Sequence, residues 1–194
     1  MKPVAQKWWT LFGVGLGVFM STLDGGITNI ALPALLRVFH SDFPTVQWVA
    51  LAYLMVIASC TLVAARLGDL RGKKRMFALG IVLFTIGSVL CALAPGIRAL
   101  ALLRAFQAIG AVLMGGLGMA IVTTAFPPEE RGLALGFIGT TVSVGIALGP
   151  TLGGLILGLA GWRWLFLVNL PVGVLAWLVV RRQVPDDPPA VSGE

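Results

Sequence analysis

Charge is scarce in this sequence. Asp, Glu, Lys and Arg make up 11% of its 194 residues, against 58% hydrophobic, and the mean hydropathy is +0.96. A soluble domain carries about 25% charged residues, so the deficit excludes an ordinary soluble fold. Cysteine is nearly absent. Cys60 and Cys91 both fall in apolar stretches, which argues for two buried thiols rather than a disulfide framework. The one histidine, His40, sits between two apolar runs, as a solvated loop residue would. No Cys/His metal spacing, no Gly-rich phosphate loop after a strand and no nucleophile triad is visible. Neither a metal, a cofactor nor an enzymatic activity is therefore expected. Strict alternation of apolar and polar residues is missing too, which excludes a transmembrane β-barrel. No basic patch with interleaved aromatics points to nucleic acid as a partner.

Long apolar runs are what the chain does have. Crossing the hydrocarbon takes ~20 residues of helix, and six stretches qualify: 9–35, 45–65, 76–95, 98–123, 132–160 and 164–180. The expected class is an all-α polytopic membrane protein with six transmembrane helices. It divides into an N-terminus at 1–8, a bundle at 9–182 and a flexible tail or start of a linker at 183–194. Lys2 and Lys7 before an apolar run resemble a signal peptide. No Ala-x-Ala-type site follows, however, and the run passes Asp24 to reach Pro33, so an uncleaved first span is expected.

The sparse charges are sorted by side. Lys2, Lys7, Arg66, Arg71, Lys73, Lys74, Arg75, Arg131, Arg181 and Arg182 fall on one side of the alternating spans, and Arg37, Arg98 and Arg163 on the other. That asymmetry implies a multi-pass protein of the plasma (inner) membrane with both termini cytoplasmic. The lipid bilayer is thus the first partner.

Two ionisable residues lie well inside spans, where they are costly and functional by default. Asp24 is ~13 residues, or ~20 Å, from the inner end of the first span. Arg104 is ~6 residues, or ~9 Å, from the outer end of the fourth. In a core of ~30 Å both sit at the same level and can meet if the two spans are neighbours. Asp24 reads either as a structural ion pair or helix cap, or as a protonatable group facing a water-filled cavity. The polar, Gly-interrupted surroundings (Ser21, Thr22, Gly25, Gly26, Thr28, Asn29) favour the second, because broken helices are tolerated where they line a cavity. Arg104 either snorkels to the interface or works with Gln107, one turn along the same face. In the fifth span Gly145, Gly149 and Gly153 recur at every fourth position, with Pro150, Gly154 and Gly158 beside them. Such a face serves tight packing, or a proline bend used when two bundles rock.

Taken together, these motifs resemble the major facilitator superfamily, in its fourteen-span drug:proton antiporter branch. Gly68-Asp69-Leu70-Arg71-Gly72-Lys73-Lys74-Arg75 resembles that family's loop between spans two and three. The resemblance implies that Asp69 and Arg71 latch two half-bundles, with Gly68, Gly72, Lys73 and Arg75 completing the motif. Arg104-Ala105-Phe106-Gln107-Ala108-Ile109-Gly110 is similar to a fourth-span motif linked to proton transfer, with Ala108 where Gly is usual. The stretch from Gly145 to Gly154, with Gly149, Pro150 and Gly153, resembles the fifth-span motif of exporters. Leu23 to Pro33 resembles the first-span motif of drug:proton antiporters, with Gly26 where Thr is usual. Trp162 to Gly173 resembles a segment typical of the fourteen-span branch.

The resemblance implies proton coupling by Asp24 and Arg104 and a substrate path past Thr28, Asn29 and Gln107. The expected partners are then protons and lipophilic or cationic small molecules. The family uses two six-span bundles and this chain has one. The expected function is thus the N-terminal half of a proton-coupled multidrug or small-molecule efflux antiporter, working with a C-terminal bundle or a second copy. A non-transporting scaffold and a metabolite carrier of the same fold are the alternatives.

Overall fold

The computed structural model describes residues 4–186. Seven helices build it: α1 (Val4–Val38), α2 (Phe43–Arg71), α3 (Lys73–Ala92), α4 (Ile97–Ala125), α5 (Arg131–Ala160), α6 (Trp162–Leu167) and α7 (Asn169–Gln183), with a 3₁₀ turn at Pro128–Glu130 before α5. They make six apolar spans, the last being α6 and α7 together. The chain is a multi-pass helical membrane protein. Lys2 and most of the tail at 183–194 lie outside the described residues.

The helices overrun the apolar stretches that announce them. A span needs ~20 residues for the hydrocarbon, but nothing stops a helix until a residue with special backbone geometry intervenes. α2 continues through Arg66–Arg71, and its only joint with α3 is Gly72, at φ 91°. The expected loop there is a single residue. Asp69 and Arg71 ride the last turn of α2, and Lys73 and Arg75 the first turn of α3. Gly161, at φ 86°, separates α5 from α6 in the same way. Both are conformations that L side chains rarely adopt. His40, exposed at φ 46°, closes the turn after α1.

The first span is not broken. α1 runs unbroken through Gly25 and Gly26, contrary to the expectation of an interrupted helix at mid-membrane. Its hydroxyls turn inward on their own helix: Ser21 and Thr22 donate to the Val18 carbonyl, and Thr28 donates to the Asp24 carbonyl at 2.8 Å. The break occurs in the sixth span, at Val168. Pro171 has no N–H to offer the Leu167 carbonyl, and its ring crowds that position. α6 ends at Leu167 and α7 restarts at Asn169.

α1, α3 and α4 form the centre. α4 packs against α2 and α3, α1 against α5, and α7 closes over α1 and α3. α1 and α4 are mostly buried along their apolar stretches, whereas α2 and α5 are mostly uncovered. The last two therefore present broad faces outward. The glycine stripe of α5 is spent inside this bundle. Gly145, Gly149 and Gly153 are buried against Thr22, Gly26 and Ile27 of α1. Gly154 and Gly158 face open space. α5 stays helical through Pro150, whose Cδ lies 3.6 Å from where a Gly26 side chain would begin.

The apolar interior is split into two clusters. One gathers Val14, Met20, Phe77, Phe84, Met114 and Ile138 at the end of the bundle holding the α2–α3 joint. The other gathers Leu23, Ile27, Val49, Cys91, Leu100 and Phe166 at the opposite end. The change-over falls after Met20 on α1, after Phe84 on α3 and before Ala108 on α4. Asp24, Ser88, Arg104, Gln107 and Asn169 all lie along that boundary. A polar layer separates two apolar ones.

Candidate functional site

Five buried polar side chains from four helices compose this layer. α4 supplies Arg104 and Gln107, which share a face because they are three residues apart. α1 supplies Asp24, α3 supplies Ser88, and the first residue of α7 supplies Asn169. Arg104 Nη1 donates to Asp24 Oδ2 at 2.5 Å and to Gln107 Oε1 at 2.7 Å. Asp24 Oδ1 accepts from Asn169 Nδ2 at 2.8 Å and from Gln107 Nε2 at 3.2 Å. Ser88 Oγ accepts from Gln107 Nε2 at 2.7 Å and from Asn169 Nδ2 at 3.2 Å, and itself donates to the Phe84 carbonyl at 2.9 Å. The network is closed: no buried side-chain nitrogen or oxygen among the described residues lacks a partner.

Arg104 is held on its other sides as well. Its Nε donates to the Val49 carbonyl at 3.4 Å, and its guanidinium carbon lies 4.2 Å from the centre of the Tyr53 ring. The ring's negative face supplies further stabilisation for a cation out of water. Asp24 is 0% and Arg104 1% exposed. Both charges are thus removed from solvent, and each is the other's principal compensation. Asp24 is also the one carboxylate in the middle of the bundle among the described residues. The others lie at helix ends or in turns.

The sequence-derived candidates divide clearly. Asp24, Arg104 and Gln107 come together. Thr28 does not join them, because its hydroxyl is used on the backbone of α1, and Asn29 is exposed on another face. Asp24 itself is buried among these partners. Gly68 sits where a side chain would run into Leu117 of α4. Gly68 and Gly72 therefore have a packing and a backbone role at the α2–α3 joint. Asp69, Arg71 and Arg75 are exposed, and none of them forms an ion pair among the described residues. Gly26, where the resembling motif has Thr, faces Gly149 across the α1–α5 contact. A Cβ at Gly26 would lie 3.0 Å from the Gly149 Cα.

Three participants escaped the sequence reading. Asn169 carried a usable signal, since an amide in an apolar span obeys the same cost argument as a charge, and Pro171 two residues later marks a helix start. Ser88 carried none, because a serine in a helix ordinarily satisfies itself on its own backbone. Tyr53 became a partner of Arg104 only through the packing of α2 on α4. Replacing Asn169 with Ala removes two of the bonds that orient Asp24 and Ser88. The expected loss is about 1–2 kcal/mol, measured as an earlier unfolding midpoint in detergent, and Asn169→Asp should not restore it.

The architecture has known counterparts. Residues 14–194 match the sequence model of the family described as the Major Facilitator Superfamily. The riboflavin transporter RibZ of Clostridioides difficile is 43% identical over 180 residues, covering 93% of this chain and 40% of that protein. The multidrug resistance protein Stp of Mycobacterium tuberculosis is 42% identical over 167 residues, covering 86% of this chain and 31% of that protein. A bacterial homologue of the human lysosomal transporter Spinster, solved in an inward-facing and occupied conformation, superposes with a TM-score of 0.85. The match has 22% identity and covers 99% of this chain and 47% of that one. This last likeness speaks for the fold alone. The chain spans 40% or less of the length of these two curated relatives. With one family model matched over nearly its whole length, and the six-span bundle to go with it, this chain belongs to the Major Facilitator Superfamily.

Proposed function

We propose that this chain is the N-terminal six-span half of a proton-coupled efflux antiporter for lipophilic or cationic small molecules, lying in the plasma membrane with both termini cytoplasmic. The observation that carries the reading is the sealed pair of Asp24 and Arg104 at the boundary of two apolar cores. A proton on Asp24 would cancel the charge that compensates Arg104. A guanidinium cannot shed its own proton, and an uncompensated buried charge costs several kcal/mol. Protonation would therefore favour any rearrangement that brings Arg104 to water or to a new partner. Asn169, at the break between α6 and α7, sits where such a rearrangement would loosen the carboxylate. The outward faces of α2 and α5 are the surfaces on which a C-terminal bundle, or a second copy, would enclose a substrate path. The similarity to Stp supports a drug-like substrate.

The test is Asp24→Asn in the complete transporter. Proton-driven efflux from proteoliposomes should be lost while the variant still purifies as a folded bundle. Full efflux from the variant would remove Asp24 from the proton path. The similarity to RibZ supports a second reading, a metabolite carrier of the same fold. Competition between riboflavin and cationic dyes for transport would separate the two.

A further inference from the structure

The end of the bundle that holds the α2–α3 joint carries a pocket of which the transport reading uses only Arg75, a residue of the latch motif. It lies between α3 and α7, has a volume of about 440 Å³, and is lined by Lys74, Arg75, Ala78, Trp177, Arg181 and Asp186. Three cations stand there against one anion. Two pockets at the opposite end each hold a single cation, Arg98 in one and Arg37 in the other. Positive charge is denser in the α3–α7 cleft than in either of these two pockets.

The cleft has the layout of an interfacial site. Lys74 and Arg75 are in the first turn of α3, and Arg181 is in the last turn of α7. Spans end where hydrocarbon gives way to headgroups, and tryptophan prefers the same level. The Arg181 guanidinium lies 4.9 Å from the Trp177 ring centre, which holds it over the cleft. Lys74 is largely covered, and its partner Asp186, at 3.2 Å, is 78% exposed. With its carboxylate open to solvent the pair is weak and yields readily to a better anion. Arg75 and Arg181 have no ion-pair partner among the described residues. Next along the same helices, Leu79 and Leu178 are exposed apolar side chains, suited to an acyl chain rather than to water.

We propose that this pocket binds the phosphodiester headgroup of an anionic phospholipid. Lys74, Arg75 and Arg181 take the phosphate, and Trp177 packs at the glycerol level. Basic pockets between membrane helices are suited to such headgroups, and a guanidinium matches phosphate oxygens with paired donors. A soluble phosphate offers at least as much charge but leaves the apolar surroundings unused.

Native mass spectrometry of the purified chain in detergent tests this with three probes: phosphatidylglycerol, phosphatidylcholine and inorganic phosphate. Phosphatidylglycerol should be retained in preference to phosphatidylcholine. Arg75→Gln with Arg181→Gln removes two exposed side chains and should weaken that binding on the order of 30-fold, at ~1 kcal/mol per cation near an anionic surface. Should the double variant not purify, Arg181→Gln alone should lose about 5-fold. Arg37→Gln with Arg163→Gln, at the other end, should leave binding unchanged. Equal retention of the two lipids, or wild-type binding by the variants, would overturn the proposal. Displacement of the lipid by millimolar inorganic phosphate would overturn the lipid as the source and assign the pocket to a soluble anion.

Discussion

Asp24→Leu should cost the folded bundle about 3–5 kcal/mol, and Asp24→Leu combined with Arg104→Met should recover most of that loss. The single change removes the carboxylate that Arg104 Nη1 reaches at 2.5 Å and strands a guanidinium that is 1% exposed. What remains to it is the Val49 carbonyl, Gln107 Oε1 and the rings of Tyr53 and Phe166. Arg104→Met alone should cost less. Asp24 would keep the amide donors of Asn169 and Gln107, and a carboxyl can be neutralised by a proton whereas a guanidinium cannot. In the double variant no charge is left to compensate, Gln107 and Asn169 still have Ser88, and two apolar side chains join the flanking cores. Unfolding of the four proteins in mixed detergent closes the cycle, with an expected coupling of about 2–3 kcal/mol. Additive single losses would mean that the two charges are compensated independently. On the proposed function, a proton on Asp24 would remove Arg104's countercharge as Asp24→Leu does, while leaving a carbonyl oxygen to accept its hydrogen bond.

Gly149→Val should destabilise the bundle by about 2–3 kcal/mol, while Gly154→Ala should leave it unchanged or slightly more stable. A Cβ at Gly149 would lie 2.7 Å from Gly26 Cα, 3.0 Å from Gly26 C and 3.2 Å from Ile27 N. All three are backbone atoms, so no side-chain rotation relieves the contact and α1 must move away from α5. Gly26 is two residues from Asp24, and the displacement would also stretch the 2.8 Å bond from Asn169. At Gly154 a Cβ meets nothing within 4 Å, and a helical Ala is favoured over Gly by up to about 1 kcal/mol. Unfolding midpoints of the two variants in one detergent measure the contrast. Equal stability would show that the stripe is not a contact surface within this bundle. The expected outcome assigns Gly145, Gly149 and Gly153 to holding α1 in place, and leaves Gly154 and Gly158 for a surface outside it.

Some of this organisation was legible residue by residue. Asp24 and Arg104 could be set at one depth because a helix rises 1.5 Å per residue and a span has two ends. The stripe at every fourth position of the fifth span announced a close helix contact, though not which helix would meet it. Rotation and neighbourhood were not legible in the same way. Thr28 and Asn29 follow Asp24 within five residues, yet one hydroxyl bonds back to its own helix and the other side chain points away. Gly25 and Gly26 of α1 suggested a break, but the helix runs through both, Gly26 serves an approach to α5, and the break fell at Val168.

By itself the sequence determined a six-span bundle, the segregation of its basic residues by side, and the depth of its costly residues. These depend on hydrophobicity and helical rise, which are properties of each segment alone. Only the tertiary structure decided that α1, α3, α4 and the broken sixth span meet at one level. Only there do Asn169 and Ser88 complete the cage around Asp24 and Arg104. Lateral order and rotation in a membrane are set by packing and hydrogen bonding between helices rather than by hydrophobicity, and those terms exist only once the helices are side by side.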